Sequence, residues 1–149
     1  MTEVSFYHLE RQSLDQVLPK LLERVVDSGL RAVVLAGSQE RVERLNALLW
    51  TYDEASFLPH GAQADGDLDE QPIYLTTEEE NPNGATVLAV IDGVRPAHID
   101  RFDRCLELFN GNDEAEVTAA RERWKQYKDA GHDVVYWQQT PQGKWEKKG

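Results

Sequence analysis

The chain has a single cysteine, Cys105. It can form no internal disulfide and no Cys-rich zinc site, and a lone thiol fits a reducing cytoplasm. No apolar run reaches the roughly 18 residues that span a bilayer. Met1 to Glu10 lacks the basic-then-apolar layout of a signal peptide. The expectation is a cytoplasmic protein with no membrane partner. Neither G-x-G-x-x-G nor G-x-x-x-x-G-K-[ST] occurs, so the dinucleotide and P-loop signatures lack their glycines. His8, His60, His98 and His132 fall at no helical or zinc-ligand spacing, and H-E-x-x-H is missing. Nothing in the chain assembles a nucleophile, a base and oxyanion donors. No catalytic residue, metal or cofactor is expected.

Basic residues are scarce, and their placement is uneven. The 149 residues include 16 Lys and Arg against 27 Asp and Glu, a net charge of -11. Residues 1–120 hold 9 basic and 23 acidic side chains, a net of -14. Residues 121–149 hold 7 basic and 4 acidic ones, a net of +3. The acidic body argues against strong nucleic-acid binding by the whole protein. The basic C-terminal segment would attract an anion, and an acidic peptide is as eligible as a nucleic acid. With 40% hydrophobic and 29% charged residues, the chain suits one globular domain, 1–149.

The hydrophobic pattern alternates between strand and helix signals. Val4–Leu9 reads as a strand. Ser13 and Gln16 form a capping-box pair ahead of Leu14, Val17, Leu18, Leu21, Leu22 and Val25 at helical spacing. Pro19 is awkward inside this helix, and Gly29 ends it. Ala32–Ala36 reads as a strand buried on both faces, and Ser38 caps a second helix bearing Val42, Leu45, Leu48 and Leu49. Further strands are expected at Ile73–Thr77, Thr86–Ile91, Cys105–Phe109 and Val134–Trp137. A last helix spans about Asp113–Ala130, and Gly131 ends it. The order implies an α/β fold with a mainly parallel central sheet and right-handed crossovers. Residues 62–84 read as loop-rich and 138–149 as a frayed polar tail.

On the last helix, with Arg121 at zero, Lys125 falls near about +40°, Lys128 near about -20° and Trp124 near about -60°. Ala120 and Tyr127, near about -100° and -120°, face the core, while Glu122 and Arg123 point elsewhere. Three cations therefore share one stripe beside a large aromatic. A short acidic peptide with an apolar end would need such a surface: cations for the carboxylates and an aromatic wall for the apolar residue. A solvated helix with Trp124 in the core, or weak salt-sensitive nucleic-acid binding, would leave the same pattern. A second apolar set, Trp50, Tyr52, Phe57, Leu58, Pro59 and His60, either packs down as satellite core or marks an interface.

Three stretches carry a resemblance: Phe6–Glu10 (FYHLE), Ala47–Gly61 (ALLWTYDEASFLPHG) and Ala120–Val134 (ARERWKQYKDAGHDV). Together they resemble the chi-subunit family of bacterial DNA polymerase III. The stretch 62–112 matches poorly. The resemblance implies a Rossmann-like three-layer domain whose nucleotide site is absent. It also implies a non-catalytic accessory role in the replicase. The implied partners are the acidic C-terminal tail of single-stranded-DNA-binding protein, which ends in proline–phenylalanine, and the psi subunit of the clamp loader. Carried over by motif, the tail site falls on Arg121, Trp124 and Lys125; helix geometry adds Lys128. Trp124 stands where the family commonly has Tyr, and Val117 where some members carry Lys. Asn110 stands where an apolar site-lining residue can occur. The psi side would involve Phe57, with Trp50 nearby. The competing reading is a small α/β enzyme or phosphate binder that uses the helix N-terminus at Ser38.

Overall fold

The structure is a computed structural model that describes residues 2–10, 12–51, 61–62, 72–81, 84–96, 98–140, 142 and 144–148. Side chains of 50, 51, 61 and 62 fall outside that description. The expectations for Tyr52–His60, and for 63–71 and 82–83 within the loop-rich stretch, therefore lie outside the described residues.

Strands β1 (Glu3–Leu9), β2 (Ala32–Leu35), β3 (Gly61–Ala62), β4 (Ile73–Thr76), β5 (Val87–Val90), β6 (Arg104–Asn110), β7 (Asp133–Gln139) and β8 (Trp145–Lys147) form one sheet. Their order is β3-β4-β2-β5-β6-β1-β7-β8. Every pairing is parallel except β7 with β8. Helices α1 (Leu14–Asp27) and α2 (Gln39–Thr51) cover one face, and α3 (Glu114–Asp129) covers the other.

Successive residues of a strand point to opposite faces, so each central strand feeds two cores. In β2, Ala32 and Val34 join Leu18, Leu22, Leu45 and Leu49 under α1 and α2. Val33 and Leu35 join Phe6, Leu88, Phe109 and Ala120 under α3. Both faces being covered explains why the strands read as continuous apolar runs.

The helix ends follow the local chemistry. The backbone N–H of Ser13 donates to Gln16 Oε1 at 2.9 Å. Ser38 Oγ accepts from the Arg41 N–H at 3.2 Å. Gly29, at φ +77°, closes α1: its N–H reaches the Val26 carbonyl at 2.9 Å and that of Leu30 reaches Val25 at 3.1 Å. This is the Schellman pattern, and its left-handed residue is cheapest as glycine. Gly131 repeats it at the end of α3 with Lys128 and Tyr127. Pro19 lies buried inside α1, so the helix starts at Leu14 and forgoes one backbone bond at that turn.

One expectation changes. The tail is not frayed as a whole: Gln138 and Gln139 continue β7, and Trp145–Lys147 pairs antiparallel with it. The polar composition hid a strand that one partner and one aromatic anchor hold. Trp145 packs edge-on against Tyr7 at 5.2 Å between ring centroids. The expected strand Cys105–Phe109 lies within β6. It is buried throughout, Glu107 included, because α1 packs on one side and α3 on the other.

Candidate functional site

Helix α3 is held at its start by Asp113, whose carboxylate accepts from the N–H groups of Ala115 (2.9 Å) and Glu116 (3.3 Å). Its core face is built by Ala120, with Val117, Trp124 and Tyr127 packed partly buried against the cluster containing Phe6, Cys105 and Phe109. This is the face the helical angles give, with one addition. Arg123 is not directed into solvent. It is 4% exposed, and its Nε lies 2.7 Å from an oxygen of Glu107, itself 1% exposed. Burial pushes the Glu107 carboxyl above its usual range, and the guanidinium only partly counters this. Burial likewise pushes the Cys105 thiol up, as suits an inert core cysteine.

Beside α3 lies a cavity of about 310 Å³ lined by His8, Arg121, Trp124, Tyr136, Gln138 and Lys148. Three elements meet there because β1 and β7 are parallel neighbours, with His8 in register with Gln138. The floor is a hydrogen-bonded chain. The Tyr136 hydroxyl and His8 Nδ1 are 2.5 Å apart. His8 Nε2 lies 2.8 Å from Glu10 Oε1, which also accepts from Gln138 Nε2 at 2.7 Å. With the proton on Nε2, His8 donates to Glu10 and accepts from Tyr136. Burial raises the Tyr136 pKa, against the opposing pull of Arg121, so the phenol stays protonated and can donate. The His8 ring stands directly over Gly111. A Cβ there would come within 2.0 Å of His8 Cδ2, so only glycine leaves room for the ring.

The walls carry opposite characters. Trp124 gives an aromatic surface, and its buried Nε1 has no hydrogen-bond partner among the described residues. Arg121 and Lys148 bring positive charge. Of the four residues the sequence grouped together, the cavity takes Arg121 and Trp124. Lys125 is exposed outside its lining, and Lys128 places Nζ 4.7 Å from the centre of the Trp124 ring. That distance is a cation–π contact, which steadies the indole. Trp50 falls within α2 with its side chain undescribed, and Phe57 lies outside the described residues.

His8, Tyr136, Gln138 and Lys148 escaped the reading of a single helix. The alternation of β7 could have flagged Tyr136 and Gln138 as sharing a face. Their meeting with His8 depends on strand order, which local spacing does not encode.

A larger cavity, about 530 Å³, opens at the carboxyl ends of the central strands, where α/β folds commonly bind ligands. Among the described residues its one lining cation, Arg41, is already paired. Asp92 accepts from the Gly37 N–H at 3.0 Å and pairs with Arg41 at 2.8 Å. Burial pushes the Asp92 carboxyl up, but the bonds from Arg41 and Gly37 outweigh it and hold the pKa below normal. An internal carboxylate thus takes the loop N–H that a phosphate would use, and Ser38 caps its own helix. Glu10 and Glu116 line the same space, which makes it unfavourable for a phosphate. Among the described residues no three His, Cys, Asp or Glu side chains converge to hold a metal ion, and no helix is long and apolar enough to cross a membrane.

Comparison with known proteins adds an independent line. Residues 1–135 match the model of a family described as DNA polymerase III chi subunit, HolC. The chain is also similar to a protein of Rickettsia prowazekii (strain Madrid E) named "Probable DNA polymerase III subunit chi". The two are 34% identical over 109 residues, 73% of this chain and 66% of the relative, so the match spans just under two thirds of that relative's length.

Proposed function

This chain belongs to the DNA polymerase III chi subunit family, and from that membership we propose a replication accessory protein that links the clamp loader to single-stranded-DNA-binding protein. It does so by holding the acidic C-terminal tail of the latter. The observation that carries this reading is the cavity in which Arg121 and Trp124 meet. Arg121 is exposed, and among the described residues no carboxylate pairs with it. Its planar guanidinium can hold a carboxylate through two parallel bonds. Trp124 gives the terminal phenylalanine a rigid apolar surface, and the Tyr136 hydroxyl, whose proton goes to His8, leaves its oxygen as a neutral acceptor beside it. The protein is acidic overall, but charges beyond about 8 Å are largely screened at physiological salt. The local cations therefore decide the sign of the interaction. The site contributes binding only and no chemical step.

The clamp-loader side of the link is assigned to the stretch around Trp50 and Phe57, on the likeness of its motif. A place beside the replicase puts the protein in the cytoplasm.

Arg121→Ala tests the site. The side chain is solvent-facing, so the variant folds normally. Loss of a charge-assisted hydrogen bond is worth about 1.5–3 kcal/mol, or about 10- to 150-fold in affinity. Fluorescence anisotropy with a labelled tail peptide reads it directly. Unchanged affinity removes Arg121 from the site.

A further inference from the structure

We infer that the C-terminal hairpin is a functional wall of the cavity: Lys148 is a second cation for the ligand's carboxylates, and Glu146 is an internal competitor that the ligand displaces. The inference rests on the acidic-peptide reading of the cavity, and it concerns residues beyond the family match, which ends at 135.

Register places Lys148 there. Trp137 faces Lys147 and Gln139 faces Trp145 across the β7–β8 ladder. The Lys148 N–H extends the ladder to the Tyr136 carbonyl at 2.7 Å. Alternation then sorts the side chains. Trp145 packs against Tyr7 with the α1–α2 cluster, and Lys147 shares that parity. Glu146 and Lys148 share the other, toward α3. Lys148 accordingly lines the cavity with Arg121, each from a different element.

Lys148 is already paired within the chain. Its Nζ lies 3.3 Å from Glu146 Oε1, and both side chains are about half exposed (47% and 53%). A pair so open to water is weak, so a peptide carboxylate can replace Glu146 on the ammonium at little cost. The remaining titratable groups around Lys148 do not compete in this way: His8 is bound to Glu10 and Tyr136, and Arg121 is a like charge. A ligand with two carboxylates near an apolar terminus uses both cations; a ligand with one leaves Glu146 in place.

The test compares the affinity of an acidic peptide ending in phenylalanine for the full-length chain and for Lys148→Gln, Glu146→Gln and Lys147→Gln at low salt. At an exposed position, Lys148→Gln is expected to weaken binding about two- to five-fold. Glu146→Gln is expected to strengthen it by a similar factor. Lys147→Gln, the same charge change on the opposite face, leaves it unchanged. If Lys148→Gln and Lys147→Gln are indistinguishable while Arg121→Ala still loses binding, the hairpin role is wrong and the proposed function stands. If Glu146→Gln is neutral, the competition is wrong. If the unaltered chain fails to bind the peptide, both readings fall.

Discussion

Replacing Arg123 by methionine strands a buried carboxylate. Glu107 is 1% exposed, its Oε2 has Arg123 Nε at 2.7 Å, and its Oε1 has no hydrogen-bond partner among the described residues. Breaking a buried ion pair by removing one partner costs about 3–5 kcal/mol. For a chain of this size that lowers Tm by about 6–20 °C, at about 2–4 °C per kcal/mol. The pH dependence is the sharper signature. Burial already raises the Glu107 pKa in the native protein. A carboxyl whose folded pKa is raised contributes stability that is full below the unfolded value and lost as pH rises through the folded value. Without Arg123 the folded pKa rises further, so the loss extends to higher pH. The gap between Arg123→Met and the native protein should therefore shrink as pH falls from 8 to 5 in thermal unfolding. The double variant Glu107→Leu/Arg123→Met should recover most of the loss, because apolar replacement of a buried pair is often neutral or stabilising. A gap below about 1 kcal/mol at neutral pH, well under the range for a broken buried pair, would refute the reasoning, and so would a gap that does not change with pH. The pair fixes α3 on β6, so the same variant should also weaken ligand binding at Arg121.

Gly111→Ala forces the His8 ring away from Tyr136 and Glu10; overpacking of this kind costs about 1–3 kcal/mol, and unchanged thermal stability would show that the ring can move freely. Phe57→Ala should abolish co-elution with psi in gel filtration while leaving tail-peptide affinity intact; retained co-elution would remove Phe57 from that interface.

Local patterns made the elements legible. Ser13 with Gln16, Ser38, Gly29 and Gly131 each act within a few residues, and the structure uses each as a cap or stop. Val33 and Val34 show why the parallel sheet was readable: burial on both faces writes a continuous apolar run. Glu107 was not readable, because its counter-ion comes from a helix packed across the sheet face. Strand β8 is not legible because Trp-Glu-Lys has little apolar content, and pairing with β7 holds it. The site divides in the same way. Arg121 and Trp124 lie one turn apart on one helix, where periodicity sees them. His8, Tyr136 and Lys148 come from three separate strand segments, which only the sheet order brings together.

The cavity beside α3 is tested most directly by indole resonances in a ¹H–¹⁵N spectrum of the labelled protein, recorded as the acidic tail peptide is added. The account predicts that the Trp124 Nε1 signal shifts in proportion to binding. The Trp145 signal should stay fixed, since that ring packs against Tyr7 on the opposite face. The Trp124 shift should disappear when the peptide lacks its final phenylalanine. Saturable binding of the peptide with the Trp124 signal unmoved would contradict the account.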